Sequence, residues 1–332
     1  MPKLAVVSMI RNEADILPAF LRHIAALFDY AVLMDHGSID GSDTMQLVAA
    51  GIKGWQAWRV EESAYFQEAF CGFAMRWLFE NTDTDAVIFL DADEFISVQT
   101  RRMLDTIVLA CMEQKYVGSL PWLNCLPMRS GKMIYHGCEF WRTTGKPKGS
   151  KVIIPRTVWH DNPSLQPGLG NHVACVNERA LSVNIVGNLL HFPLRSVEQM
   201  KRKIVTGSLS MLAREDHSGG KRHHWLEAMQ RMAQSGLDTA DMFGMAASYS
   251  EKDAAFFRLP EGEIPHCGYS RSNLMVANEN MPIHYEDANP PDPWQVMAAC
   301  MVDWHVRKPR LTAPRNVYVA LKDDVLTVVH NA

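Results

Sequence analysis

Ala86-Val87-Ile88-Phe89-Leu90-Asp91-Ala92-Asp93-Glu94 is the stretch on which the reading of this chain turns. Five apolar residues in a row, with no polar alternation, form the pattern of a strand buried on both faces. Two carboxylates spaced i, i+2 follow at once, and a turn just there points both at one place. Hard divalent cations such as Mg²⁺ or Mn²⁺ favour carboxylate oxygens and complete their shell with water and substrate phosphate. An isolated Asp-x-Asp is more often a helix cap or a solvated loop. The weight of this one comes from the strand in front of it and from what precedes that strand.

Working back toward the start, Leu4 to Ile10, Tyr30 to Met34 and Trp55 to Val60 are three further strand candidates. Between the first two, apolar residues recur at Ile16, Leu17, Phe20, Leu21, Ile24, Leu27 and Phe28, one face of a helix. Asp15 is the expected N-cap, with Pro18 in the first turn. Ser42 or Asp43 opens a short second helix that Gly51 closes, and a third helical stretch runs to about Phe79. Four strands alternating with three helices imply right-handed crossovers and a mainly parallel sheet. In such sheets ligands bind beyond the carboxyl ends of the strands. Arg11-Asn12-Glu13, Asp35-His36-Gly37-Ser38 and the Asp91/Asp93 pair then fall on one edge.

Working forward, Arg101 to Lys115 reads as a helix and Val117 to Leu123 as a strand. Short β-like runs follow at Lys151–Ile154 and Leu181–Val186, and Ser196 to Leu212 is helical. Residues 213–285 read as helices joined by loops, and Val317 to Val329 as a hairpin around Lys322-Asp323-Asp324.

The 332 residues carry 33 Lys+Arg against 37 Asp+Glu, a net charge of −4. That balance disfavours a protein held to nucleic acid by phosphate neutralisation, and it supplies no polybasic membrane anchor. No run of about 18 apolar residues predicts a spanning helix. The apolar stretch behind Met1 is too short for a signal peptide. Seven dispersed cysteines form no Cys-x-x-Cys clip, so neither a disulfide framework nor a structural zinc site is expected. The expectation is a cytoplasmic enzyme. There is no Gly-x-Gly-x-x-Gly fingerprint and no Walker A sequence, which disfavours a dinucleotide dehydrogenase and a P-loop kinase.

Four blocks, in order, resemble family-2 glycosyltransferases of the GT-A fold: Val6 to Glu13, Leu33 to Ser42, Ile88 to Phe95 with its LDxDEF form of the metal motif, and His191 to Lys203. The resemblance covers about residues 3–210. It implies a GT-A core over 1–210, with a nucleotide-sugar half (1–100) and an acceptor and metal half (101–210), and leaves 211–332 as a mostly helical extension of unassigned role. It implies an enzyme that moves a sugar from a nucleoside-diphosphate sugar to a hydroxyl of a glycan or other acceptor, with inversion. Mn²⁺ or Mg²⁺ is the implied cofactor. On this reading Asp35 contacts the nucleoside, and Arg11, Asn12 and Glu13 line its pocket. Asp91 lies near ribose and metal, Asp93 ligates the metal, and His191 is a candidate further ligand. Arg195, Lys201 and Lys203 are candidates for neutralising the leaving diphosphate, with Lys151 and Arg156 weaker candidates of that kind.

His36 stands where many relatives carry a second aspartate, which blurs the base-contacting set. The Gln-x-x-Arg-Trp signature of processive synthases is absent. Inversion requires a base for the acceptor hydroxyl. Glu139 and Asp161 are the candidates, with His160 and His172 lesser ones. Trp122, Trp141 or Trp159 offers an aromatic platform for a sugar, although core packing is the commoner role of any one tryptophan. His223, His224 and the methionines from Met229 to Met245 read as packing. Two competing readings share an acidic site of this kind: a nucleotidyltransferase that makes nucleotide-sugars, and a non-catalytic nucleotide-sugar-binding protein. Peripheral membrane contact is compatible with all three.

Overall fold

The computed structural model describes residues 1–127 (apart from Ser63 and Gln99), 140–142, 146–212, 239–249 and 318–329, with isolated positions 228, 229, 232 and 237. In chain order the first half contains β1 (Leu4–Ile10), α1 (Leu17–Leu27), β2 (Tyr30–Asp35), α2 (Ser42–Ala49), β3 (Trp55–Val60), α3 (Gln67–Asn81), β4 (Ala86–Phe89) and β5 (Glu94–Ile96). There follow α4 (Arg101–Glu113), β6 (Val117–Pro127), β7 (Phe140–Arg142), β8 (Ser150–Pro155), α5 (Arg156–Asp161), β9 (Leu165–Pro167), β10 (Ala174–Val176), β11 (Arg179–Ala180), β12 (Val183–Ile185), β13 (Leu189–His191) and α6 (Val197–Leu212). The last described elements are α7 (Thr239–Ser248), β14 (Tyr318–Lys322) and β15 (Val325–Val329).

The result is an α/β fold: a mixed sheet ordered β14-β15-β3-β2-β1-β4-β8-β6-β13-β5, flanked by helices. Its centre, β3-β2-β1-β4, is parallel throughout. Every residue of β1 is buried, as its apolar run, interrupted only by Ser8, requires. Alternate residues of the strand feed two cores. Leu4, Val6 and Ile10 pack with Phe20, Ile24 and Leu27 of α1 and Leu104 and Val108 of α4 on one face. Ala5, Val7 and Met9 pack with Phe70, Ala74, Met75 and Leu78 of α3 on the other. Burying a side chain of this size contributes about 1.5–3 kcal/mol. The carboxyl ends of β1, β2 and β4 are therefore fixed by apolar packing that leaves the polar residues beyond them free for other work.

Several expectations at element ends need correction. Ile16, not Asp15, occupies the N-cap position of α1, and no side chain caps it. Asp15 is instead held by Arg195 at 2.7 and 2.8 Å. α2 does open at Ser42, preceded by Gly41 with φ of +91°, and the Ser42 hydroxyl accepts the Glu13 N–H at 3.0 Å. The three-residue β5, absent from the sequence reading, pairs antiparallel with β13 and sets His191 opposite Glu94. The C-terminal hairpin forms where it was expected, and β15 adds to the parallel block by pairing with β3. Among the described residues no helix is long and apolar enough to cross a membrane.

Candidate functional site

The loops after β1 and β2 are stitched together by their own polar groups. Asn12, at φ +56°, donates its N–H to Ser38 Oγ and accepts the Ile39 N–H on Oδ1 at 2.9 Å. Asp40 Oδ2 accepts the Ala14 N–H at 3.0 Å. Asp35 closes a tight turn, accepting the Gly37 and Ser38 N–H groups, and takes Gln46 Nε2 at 3.3 Å. Gly37, at φ +72°, permits that turn.

Beyond these loops lies a cleft of about 430 Å³. The β1 loop contributes Arg11, Asn12 and Glu13 to its wall, the turn after β4 contributes Asp91 and Asp93, and β13 contributes His191. The opposite wall is one face of α6, with Gln199, Arg202, Lys203, Thr206 and Ser210 at helical spacing. Ten of the residues singled out from the sequence thus meet in one place: Arg11, Asn12, Glu13, His36, Asp91, Asp93, Trp122, His172, His191 and Lys203.

Asp93 is the centre of the acidic end. It is buried, 3% exposed, and its Oδ2 accepts Lys203 Nζ at 2.7 Å, with an Arg195 nitrogen 3.9 Å away. Burial alone would raise this carboxyl, but Lys203 and the neighbouring cationic groups outweigh it and hold its pKa well below the usual carboxylate range. His191 Nε2 lies 3.9 Å from the same oxygen. Two strand pairings put it there: β13 runs antiparallel to β5 and parallel to β6, with His191 in register with Asn124. His191 Nδ1 is 2.7 Å from Asn124 Oδ1, which accepts, so Nδ1 carries the hydrogen and Nε2 a lone pair. Burial depresses the imidazole to about 3, so the ring is neutral.

Asp91 is gripped from below. Its Oδ1 accepts Gln67 Nε2 at 2.9 Å and its Oδ2 accepts Lys151 Nζ at 2.6 Å. Lys151 is fully buried on β8, also donates to Gly170 O at 2.9 Å, and lies 3.6 Å from Glu94. It is thus a support beneath the carboxylates rather than an exposed cation at the cleft. Glu94, fully buried, accepts Trp122 Nε1 at 2.6 Å and the Asp91 N–H at 2.8 Å. The indole of Trp122 stacks on His191 at 4.3 Å and meets the His172 ring edge-on at 4.9 Å, so it forms a wall of the cleft. Gly149 makes room for it, because a Cβ there would lie 2.2 Å from the ring.

The remaining candidates lie elsewhere. Arg195 and Asp35 are not among the residues lining the cleft. Arg195, 3% exposed, binds Glu13 and Asp15 and donates to Phe192 O at 3.1 Å. Asp161 lies on α5, half-exposed, in an ion pair with Lys115 at 2.7 Å, and the His160 side chain next to it is 85% exposed. Arg156 donates to the carbonyls of Phe79, Thr82 and Thr84 at the C-terminus of α3. Lys201 pairs with Glu198 at 2.9 Å, and Trp159 packs on Phe79 at 5.1 Å. Glu139, His223, His224 and the side chain of Trp141 lie outside the described residues. Sequence reasoning missed Gln67, Arg202, Thr206 and Tyr249. For Arg202 and Thr206 a signal existed, since they share the helical stripe of Gln199, Lys203 and Ser210.

Among the described residues no three His, Cys, Asp or Glu side chains are grouped to hold a metal unaided. The Asp93–His191 pair nevertheless suits a cation that takes its other ligands from phosphate and water. A carboxylate and an unprotonated imidazole nitrogen face each other, and the second imidazole nitrogen is tied to a side-chain oxygen, as metal-ligating histidines usually are.

The buried acids predict a pH dependence of stability. Burial raises Glu94 to about 8, against Lys151, from an ordinary 4.5. Burial likewise raises Glu13 to about 7, against Arg195 and Lys203. Between the ordinary and raised values the folded protein binds more protons than the unfolded chain, so unfolding free energy falls as pH rises. The urea midpoint should therefore decline from pH 5 to pH 8. Glu94→Gln should flatten that slope whatever its absolute stability.

No protein-family model matches the chain, and no curated protein does either. Solved structures that match the chain include residues 1–349 of S. aureus TarS, at 10% identity over 75% of this chain and 81% of that one, with a TM-score of 0.35. The same fragment in complex with UDP-GlcNAc matches at 12% identity over the same shares, with a TM-score of 0.32. A mycobacterial protein matches at 16% identity over 63% of this chain and 75% of that one, with a TM-score of 0.34. Function is accordingly read from the residues of the cleft.

Proposed function

We propose that the protein is a metal-assisted glycosyltransferase of the GT-A type, which takes a nucleoside-diphosphate sugar as donor and a hydroxyl as acceptor. The observation that carries this reading is the Asp93 cluster at the carboxyl edge of the parallel strands. A buried carboxylate there faces a neutral imidazole nitrogen across 3.9 Å, with Lys203 Nζ at 2.7 Å. Cleavage of a sugar–phosphate bond leaves negative charge on a diphosphate, and fixed positive charge stabilises it as it develops. Asp93 and His191 would hold Mn²⁺ or Mg²⁺, which when bound supplies Lewis-acid stabilisation of that charge.

The chain's own residues do the rest. Lys203 and Arg202 present cationic groups from α6, and Asn12 and Glu13 form the floor where the nucleoside end would lie. Trp122 excludes water from the His191 side and offers an indole to the sugar. Lys151 and Gln67 hold Asp91 in place. Asp35, bound to its own turn, would act on the nucleoside pocket by fixing the loop that carries His36.

The test is release of nucleoside diphosphate from a panel of UDP-glucose, UDP-GlcNAc, GDP-mannose and dTDP-glucose with Mn²⁺, repeated with chelator. Release from at least one donor, abolished by chelator, is the expected result. Release of pyrophosphate from a nucleoside triphosphate and a sugar phosphate would instead identify a nucleotidyltransferase. Tight donor binding with no turnover would identify a binding protein.

A further inference from the structure

The transfer proposed above needs a group that takes the acceptor's hydroxyl proton; of the two carboxylates marked out for it, Asp161 is paired with Lys115 on α5, away from the cleft lining, and Glu139 lies outside the described residues. We propose that His172 is that general base, acting through Nε2. The proposal rests on the glycosyltransferase reading and adds to it the residue that activates the acceptor.

Three observations carry it. Trp122, Leu169, Gly170 and His172 are the residues from 101–190 that line the cleft among those described, and His172 alone of the four has a side chain able to accept and release a proton. Its tautomer is set, because Nδ1 lies 2.6 Å from Ser150 O, a carbonyl that can only accept; Nδ1 therefore carries the hydrogen and Nε2 the lone pair. Its place is set as well. The ring meets the Trp122 indole edge-on at 88°, and that indole stacks on His191, whose Nε2 faces Asp93. One indole thus touches both imidazoles, the His191 ring stacked on it and the His172 ring at right angles to it, which fixes His172 in the cleft wall beside the acidic cluster.

Ser150, which orients His172, precedes Lys151, which grips Asp91. The base and the acidic turn are consequently referenced to the same strand. Burial first, and the charge of Lys151 second, lower the imidazole to about 4, with Asp91 opposing. His172 is therefore unprotonated throughout the neutral range and has the basicity of an ordinary carboxylate.

The chemistry balances without a further reagent. Nε2 accepts the hydroxyl proton as the acceptor oxygen bonds to the anomeric carbon. The bond from that carbon to the diphosphate oxygen breaks, and its electron pair stays on the diphosphate. The products are the glycoside, the nucleoside diphosphate and an imidazolium that returns its proton to solvent.

Water serves as the acceptor in the test, so no natural acceptor is needed. Nucleoside diphosphate release is followed with the panel donor that the wild-type protein cleaves, and UDP binding with Mn²⁺ is measured by calorimetry. His172→Ala should lower the rate by at least about 100-fold while UDP affinity stays within threefold, and added imidazole should restore part of the rate. His172→Asn keeps an N–H for Ser150 O but has no Nε2, and should be as slow as the alanine variant. A rate within a few-fold of wild type in either variant overturns the proposal. So does a loss that imidazole does not relieve, which would give His172 a positioning role. Wild-type protein that neither binds UDP nor cleaves any donor overturns the glycosyltransferase reading itself, a separate outcome.

Discussion

Lys151→Ala should destabilise the fold by roughly 3–5 kcal/mol, the range for removing one partner of a buried ion pair. The side chain is fully buried, and its ammonium lies between Asp91 at 2.6 Å, Gly170 O at 2.9 Å and Glu94 at 3.6 Å. The alanine variant loses both the charge and the aliphatic stem, and the stem's loss adds a cavity beneath the acidic turn. Lys151→Met separates the two contributions because it keeps the packing and removes the charge. Urea unfolding of both variants measures the difference: methionine should recover the cavity part and leave the electrostatic part. A variant with alanine as stable as wild type would show that Asp91 needs no buried counter-charge. Donor turnover should fall in both variants, since Asp91 loses one of its two anchors.

Asp93→Asn should abolish donor turnover, by at least about 100-fold, while leaving the chain folded. Asparagine is nearly isosteric with aspartate and retains an oxygen for Lys203 Nζ, so the geometry at 2.7 Å is preserved and the charge alone is lost. With that charge goes the attraction for a divalent cation, so the variant should also lose Mn²⁺-dependent strengthening of UDP binding. Calorimetry with UDP, with and without Mn²⁺, reads this independently of turnover. An Asp93→Asn enzyme with wild-type turnover would remove Asp93 from the reaction and with it the cluster on which the proposed function stands.

The parallel centre of the sheet was legible because fully buried strands write themselves as unbroken apolar runs. Tyr30–Met34 and the strand beginning at Ala86 stand out in that way, as does Leu4–Ile10 with Ser8 its one polar residue, and the polar residues after them marked the edge where the cleft lies. β5 was not legible. Glu94-Phe95-Ile96 is too short to show any period, and a glutamate at its head reads as surface. Yet that strand, paired with β13, is what brings His191 to Asp93 from about a hundred residues away. Lys151 misled for a related reason: a lysine in a run such as Lys151–Ile154 reads as solvent-facing, and its burial follows from two acids that a distant turn supplies. Asp15 has the residue type of a helix cap, but a stronger partner, Arg195, claims it.

The hairpin on the outer edge of β3 has a consequence for the order in which the molecule is made. Arg59 and Glu61 donate their N–H groups to the carbonyls of Asp324 and Leu326 at 2.8 and 2.9 Å. On the ribosome, β1 to β4 emerge within about ninety residues of one another and can pair at once. The β3 edge stays open until some 240 further residues have been made, and an open strand edge is a template for other chains. A nascent chain stalled short of the hairpin would carry a nearly finished sheet with one sticky side, so slow translation should favour aggregation of this protein over mere delay.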